Sequence, residues 1–599
     1  MELSIPLGGQ MGFCLICGKI NIVMDIKKEI TSIIKQSLAE LTKEKACPPR
    51  GIDFLVEEPE NENFGDYSSN VALIASKILK KNPLELAQEL VKKIEVSSCK
   101  LGVIDRVEAV KPGFINFYLS KDYLATLMIH IIRVPEEYRF SKKLKDKKIM
   151  VEFTDPNPFK EFHIGHLYSN AVGESISRLL EAMGADLKRA NYQGDVGMHV
   201  AKGLYGLLQI SNLKSQISNL ENKSPRERAE FLGKCYAVGA KNYEVSEKAK
   251  REIEELNKKI YAKDPVTMGL YEKGRQWSLE YFENIYKRLG TKFDFSYFES
   301  EVGIDGLKLV KEYLKKGVFE KSQNAVIFPG EKHRLHNRVF INSLGLPTYE
   351  AKDLGLAFKK YSDFKFDQSI SVTGSEIIGY FKVMLAALKQ INPEIASKIK
   401  HLPHGMVRLP TGKMSSRTGS IVTGEWLLDE TKKLLKSKYS EMTEEILEKV
   451  AVGSVKYALL KSCLGHDIEF NFEESINIQG DSGPYLQYVY VRTQSVLNKM
   501  PKDANLQSIS GFPLVSEELS LMRTVYKYPE IVRKAAEKFA PNILCNYLFD
   551  LAQKFNLFYQ KCKIIGSKEQ NSRLSLTKAV GSVIKNGLNL LGISAPEKM

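Results

Sequence analysis

The chain contains no run of 18 or more apolar residues, so no segment reads as a helix crossing a bilayer. Cysteine is sparse, eight in 599 residues and mostly isolated, as expected of a reducing compartment. The exception, Cys14-x-x-Cys17, has no second pair, and zinc needs about four ligands. Six of the nine histidines fall in H-x-x-H pairs: His163/His166, His333/His336 and His401/His404. None carries the glutamate of H-E-x-x-H or an evident third ligand, so no metal site is expected. Glu2 in place of a basic start, and Lys19 inside the apolar stretch, argue against a signal peptide in Met1–Val23. A helical pattern opens at Met24-Asp25, and residues 1–23 are read as an extension or a misassigned start.

Positive charge, by contrast, is in surplus. There are 87 Lys and Arg against 72 Asp and Glu, a formal net charge of +15. A polyanionic partner fits that balance, although many basic proteins bind no nucleic acid. The length predicts about three or four structural units. Residues 24–145 read as mixed α/β: a helix over Ile26–Leu41, the segment Phe64–Leu73, a helix to about Lys93, and alternation in Lys111–Leu119. Lys142–Lys148 is a basic linker. Ile149–Phe153 reads as a strand, and apolar positions from Leu167 to Met183, stopped by Gly184, predict a helix. Strand, tight loop, helix is how a nucleotide-binding βα unit begins. Residues 200–290 are charged, helical and inserted, with a repeat of Ile-Ser-Asn-Leu at 210 and 217 read as surface drift. Further strands are expected at Ala325–Phe328 and Ser369–Thr373. From about 440 to the end the pattern indicates helices only, joined by a polar loop near 500–512.

The loop between the first strand and its helix, Asn157-Pro-Phe-Lys160-Glu-Phe-His163-Ile-Gly165-His166, has the means to bind phosphate. A helix start offers free backbone N–H groups and partial positive charge. Two imidazoles one turn apart can donate hydrogen bonds to phosphoryl oxygens, and Gly165 permits close approach of a purine or ribose. A pair of surface or helix-capping histidines is the alternative. Gly412-Lys413-Met414-Ser415-Ser416-Arg417-Thr418-Gly419 combines small, hydroxyl and basic residues, which suits an anion-binding loop or a solvated turn. Their order, about 250 residues apart and each beside a βα unit, is far more specific than either motif alone.

Together these motifs resemble H-I-G-H and K-M-S-K-S of class I aminoacyl-tRNA synthetases, and more closely the arginyl family. Ser416 stands where the second lysine is usual, and Lys160, three residues before His163, resembles that family's compensation. The resemblance implies ATP and Mg²⁺ as cofactors, with Lys160, His163, His166 and Lys413 stabilising the phosphates. Gly165, Gly374, Glu376, Met414, Ser415 and Ser416 would line the ATP site, although Ile377 replaces a common glutamine after Gly374-Ser-Glu376. Tyr349-Glu-Ala-Lys-Asp353 resembles the arginyl Y-x-x-x-D, with Lys352 in place of the usual arginine. Tyr349, Asp353 and Glu299 are expected around a guanidinium, with Asn191 toward the α-amino or carboxylate end and Asn157 as a further arginine-binding residue.

The same resemblance implies a Rossmann-type parallel-sheet catalytic domain (146–440), an N-terminal α+β tRNA-binding domain (24–145) and an all-α anticodon-binding domain (441–599). Tyr485, Tyr488, Arg492 and Tyr559 are expected to contact unstacked tRNA bases. The implied activity is arginine–tRNA ligase, with arginine, ATP and tRNA(Arg) as partners. No membrane partner is expected, and the protein is expected as a cytoplasmic monomer.

Overall fold

The computed structural model describes residues 26–42, 52–59, 61–98, 102–135, 138, 141–210, 213–409, 422–502, 504–506 and 514–599. Cys14, Cys17, Lys413, Met414, Ser415 and Ser416 lie outside them. The chain sorts into two compact units. One joins the N-terminal residues to Tyr138 with Asp503–Tyr526 and Ile564–Ala579. The other comprises Arg139–Lys502, Lys527–Lys563 and Val580–Met599.

In the first unit, Val56–Glu57, Tyr67–Ser69, Phe114–Leu119 and Ile104–Val110 form an antiparallel sheet in that spatial order. Four helices accompany it: Ile26–Thr42, Val71–Leu79, Pro83–Ser98 and Lys121–Arg133. The 441–599 segment contributes to this unit. Arg523 Nε pairs with buried Asp66 at 3.0 Å, and the hydroxyls of Tyr67 and Tyr526 are hydrogen-bonded at 2.8 Å. The segment is therefore shared between the two units.

The second unit is built on five parallel strands: β1 (Lys148–Glu152), β2 (Asp186–Gln193), β3 (Phe295–Phe298), β4 (Gln368–Gly374) and β5 (Ile399–His404). Their spatial order is β5-β4-β1-β2-β3. The order reverses between β1 and β4, where ligands of doubly wound sheets bind at the strands' carboxyl ends. Helix α1 (Ile164–Ala182) follows β1 and is buried on nearly every face, in keeping with its dense run of small and apolar residues. Helices α2 (Glu299–Lys315) and α3 (Tyr349–Asp363) follow β3, and α4 (Ile378–Ile391) follows β4.

Five helices between Met198 and Leu289 form the inserted segment, and it has a core of its own. Phe159, from the loop after β1, is fully buried within that core, so the insertion cradles the candidate phosphate loop. Ile210, Ile217 and Leu220 of the repeat are partly buried there, while Ser211 and Asn212 lie outside the described residues. The expectation of helices alone after 440 needs one correction. Ile468–Glu469 forms a short strand parallel to Val407–Arg408, because Ile468 alternates inward from the edge at Met406.

Candidate active site

After β1 the chain turns through Thr154, Asp155 and Phe159, whose φ values are 82°, 49° and 66°. Non-glycine residues hold that conformation only when their surroundings dictate it. Here Thr154 N–H donates to Ser169 Oγ, Tyr192 N–H to Asp155 Oδ1, and Phe159 N–H to Ser278 Oγ, at 2.8–3.0 Å. The turn delivers His163 as the N-cap of α1. His163 Nδ1 accepts from the N–H groups of Gly165 (3.1 Å) and His166 (3.3 Å), and His166 Nδ1 accepts from His163 N–H (3.2 Å). The rings stack at 3.5 Å. A Cβ on Gly165 would lie 3.0 Å from the His163 ring, a tight contact that the folded-back cap would have to yield to accommodate.

The capping alternative is thus realised, and it leaves the phosphate chemistry intact. Burial, with Lys160 beside it, pushes His163 down to about 4, and burial with His163 and Lys160 pushes His166 well below its ordinary value. Both rings are neutral near pH 7. With each Nδ1 accepting, each proton sits on Nε2, which is left as a hydrogen-bond donor. Lys160 lies over the Tyr236 ring at 4.9 Å, and burial together with Lys202 lowers its pKa. The exit of the second motif returns to this loop: Ile164 N–H donates to Val422 carbonyl oxygen (3.1 Å), and Gly424 N–H to that of Phe162 (2.8 Å). Gly374 ends β4 opposite His404, and Glu376 is exposed just beyond it, both at the carboxyl edge.

Most of the acids beside this edge are matched by cations, Asp155 and Asp353 being exceptions among the described residues. Glu152 pairs with Lys360 (2.8 Å), Glu299 with Lys352 (2.6 Å) and Glu350 with Arg338 (3.1 Å). Asp353 has no cationic partner among the described residues and accepts only from the Tyr380 hydroxyl. Burial, reinforced by Glu152, Glu299 and Glu350, pushes its carboxyl up to about 8 against that hydrogen bond. Tyr349, one turn earlier on α3, is 54% exposed. Lys352 holds Oε2 of Glu299, the second acid expected at the guanidinium, so that Oε1 is the oxygen without this cation. Asn191 is the residue expected at the α-amino or carboxylate end. It is fully buried, donating to Phe153 carbonyl oxygen (3.1 Å) and accepting from Gln193 (2.8 Å), so its amide is bound within the fold. Asn157 and Glu299 Oε1 converge on Gly194, where a Cβ would strike Asn157 Oδ1 and lie 3.4 Å from Glu299 Oε1.

Sequence reading missed Asp195 as an anchor. Fully buried, it accepts from Ser300 N–H (2.9 Å), Ser300 Oγ (2.7 Å) and Arg275 Nε (2.9 Å), fixing the residue next to Glu299. Its place in Asn191–Gly197 was the one available signal, and Arg275 in the insertion gave none. Three histidines of the remaining pairs are engaged in packing, and His336 is exposed. His401 stacks on Phe381 and bonds Thr373 (2.7 Å), His404 packs on Tyr168, and His333 stacks on Phe328.

In the helical region, Arg492 lies 4.8 Å from the Tyr488 ring and 5.1 Å from the Tyr559 ring, and also donates to Asn556. Tyr559 is 43% exposed. Tyr485, for which the core was the alternative to a tRNA contact, is buried against Phe549, with its hydroxyl accepting from Asn556 (3.0 Å).

A doubly wound parallel sheet with a neutral histidine pair capping the first helix at the switch point defines a class I aminoacyl-tRNA synthetase catalytic domain. Three family models match: arginyl tRNA synthetase N terminal domain over 28–119, class I (R) tRNA synthetase catalytic domain over 130–472, and DALR anticodon binding domain over 486–599. The chain is 31% identical to the arginine–tRNA ligase of Borrelia hermsii, over 96% of this chain and 99% of that one. It is also 31% identical to that of Treponema denticola, over 96% and 100%. It shares its fold with the arginyl-tRNA synthetase of Thermus thermophilus, at TM-score 0.76 and 24% identity over 96% and 100% of the two chains. The chain belongs to the arginyl-tRNA synthetase family.

Proposed function

We propose that this enzyme condenses L-arginine with ATP and transfers the arginyl group to the 3′ end of tRNA(Arg). The observation that carries the choice of amino acid is Asp353, a buried acid on α3 with no cationic partner among the described residues. A guanidinium is planar and permanently charged, and a carboxylate held by a neutral phenol is its natural partner. Asn157 and Glu299 Oε1 would complete the pocket, with Tyr349 covering it and Asn191 supporting from beneath. The arginine carboxylate attacks the α-phosphorus, pyrophosphate leaves, and a terminal hydroxyl of tRNA then attacks the carbonyl and displaces AMP. No side-chain nucleophile is needed. Positioning and charge stabilisation lower the barrier.

His163 and His166 would donate through Nε2 to phosphoryl oxygens, and Lys160 and Lys413 would neutralise them. Gly165, Gly374, Glu376, Met414, Ser415 and Ser416 would line the nucleotide. Mg²⁺ enters as part of the MgATP substrate, liganded by phosphate oxygens; among the described residues no group of three His, Cys, Asp or Glu side chains is placed to hold a metal. Segments 24–145, 146–440 and 441–599 serve as tRNA-binding, catalytic and anticodon-binding regions. A monomer working in the cytoplasm fits the isolated cysteines and a role in translation.

The test is ATP–pyrophosphate exchange with each amino acid in turn, with and without tRNA. Exchange is expected with arginine alone among them, and only when tRNA is present, because tRNA completes the catalytic geometry. Such a gate requires tRNA to favour the competent state by about 2.7 kcal/mol for a hundredfold shift. Robust exchange in RNA-free enzyme would remove the gate and leave the ligase reading intact.

The Arg492, Tyr488 and Tyr559 cluster is the reading for anticodon stacking. Arg492→Ala is expected to raise the KM for tRNA roughly tenfold, the scale of one lost base stack, with kcat at saturating tRNA retained. Binding should also weaken steeply with salt, given the net charge of +15. Salt-independent binding, or an unchanged KM in the variant, would count against this surface.

A further inference from the structure

Glu299 and Lys352 form one of the most enclosed ion pairs in the second unit. The Nζ to Oε2 distance is 2.6 Å, and the two side chains are only 4% and 5% exposed. They come from different helices, Glu299 from the first turn of α2 and Lys352 from α3, one residue before Asp353. Burying two charges is costly unless geometry and further contacts compensate, and two apolar residues would hold α2 against α3 as well. Packing alone therefore does not account for the pair. Its other contacts point toward the substrate pocket. Lys352 Nζ lies 5.1 Å from the Tyr349 ring centroid and 5.8 Å from that of Tyr261. Glu299 Oε1, the oxygen Lys352 does not take, faces Gly194 and Asn157.

We infer that Lys352 is a positioning residue for arginine recognition: it keeps Glu299 ionised and oriented so that only Oε1 faces the substrate. It thereby leaves Asp353 as the acid that gives up its proton to receive the guanidinium. This rests on the reading that Asp353 and Glu299 receive the guanidinium. Asp353 already holds a proton below about pH 8, and without Lys352 burial would favour a second proton, on Glu299. A protonated Glu299 turns an acceptor into a donor, facing a substrate group that is itself all donor. Burial raises the Glu299 carboxyl above its ordinary value, and the charge and hydrogen bond of Lys352 oppose that rise. The pKa of Lys352 would itself be lowered by burial but is raised above the ordinary value by Glu299. The groups facing the pair are Asp195 after β2, Tyr192 on β2, His199 and Tyr261 in the insertion, Tyr349 and Asp353 on α3, and Tyr380 on α4. Arg275 is a further cation here and is paired with Asp195, while Asp353 itself faces Glu152 with Lys360, Glu350 with Arg338, and Asp155.

The test counts protons. In the wild-type enzyme, calorimetric arginine titrations at pH 6.5, in buffers of differing ionisation enthalpy, should show one proton released per arginine, from Asp353. Release of two would mean that Lys352 does not hold Glu299 ionised, and would overturn the inference without any variant. In Lys352→Met, kcat/KM for arginine should fall, and its logarithm should rise with a slope of two per pH unit below pH 8 instead of one. Lys352→Arg should restore the slope of one, and Glu299→Gln/Lys352→Met should also show one, because the second acid is gone. A folded Lys352→Met enzyme that keeps a slope of one would reduce the pair to a structural tie. Glu299→Gln and Asp353→Asn separate the two levels. If both leave kcat/KM for arginine unchanged, the guanidinium reading itself fails. If they impair it while Lys352→Met keeps the wild-type slope, only the role given to Lys352 fails.

Discussion

Replacing Lys160 with alanine is expected to lower kcat by roughly 10²-fold or more, with much less effect on the KM for arginine. Its ammonium has no carboxylate partner among the described residues and rests over the Tyr236 ring. Burial and Lys202 disfavour its charged form, so a polyanion at the start of α1 would relieve an unfavourable situation. Charge builds on the leaving pyrophosphate as the phosphorus–oxygen bond breaks, and a nearby cation acts on that moment more than on the bound ground state. The neutral histidine pair cannot substitute, since it offers dipoles and no net charge. Steady-state aminoacylation at saturating arginine, ATP and tRNA measures the effect, and near-normal turnover would end the assignment. Ser416→Lys in the same background should recover part of the loss, because it restores the cation to the second motif.

The strand–loop–helix start, the histidine pair and the inserted helices were legible because each is local: apolar spacing, a tight turn and two motifs state themselves within about twenty residues. The parts that were not legible depend on partners far along the chain. Glu299 was readable as an acid near a substrate, but its neutralisation by Lys352 needs α2 and α3 side by side. Lys352 had been noted only as a replacement for an arginine. Asn191 and Tyr485 looked like contact residues because their types suit contacts, while burial assigns both to support. The insertion read as charged surface because its outer faces dominate its composition, and its core around Phe159 is assembled from positions up to about a hundred residues apart. Sharing of 441–599 between two units had no local signature at all. It rests on side chains such as Arg523 and Tyr526 meeting Asp66 and Tyr67.

Asp353→Asn is expected to reduce kcat/KM for arginine by on the order of 10²- to 10³-fold, the scale of removing one partner from a buried charge pair. The amide keeps the shape but has no charge, and it turns N–H toward N–H. The wild-type pH dependence follows from the same residue. Its carboxyl is raised to about 8 in the folded, ligand-free protein, so below that pH the acid is protonated and must lose its proton to receive a guanidinium. The logarithm of kcat/KM, which reports the free enzyme, should therefore rise by up to one unit per pH unit below about 8 and flatten above it. Stability should run the other way. A carboxyl whose folded pKa exceeds its unfolded value near 4 leaves the folded chain holding the extra proton between those pH values. Folding stability should thus decline as pH rises from about 4 to 8, with the full penalty present above 8. Saturating arginine cancels the penalty by supplying the missing charge, so its stabilising effect on Tm should be larger at pH 9 than at pH 6. In Asp353→Asn both the penalty and the difference between the two pH values should vanish. Thermal melts of the two proteins at pH 6 and pH 9, with and without arginine, decide the matter. An arginine-induced shift in Tm that is independent of pH in the wild type would mean that Asp353 is already ionised, and that the guanidinium finds its counter-charge elsewhere.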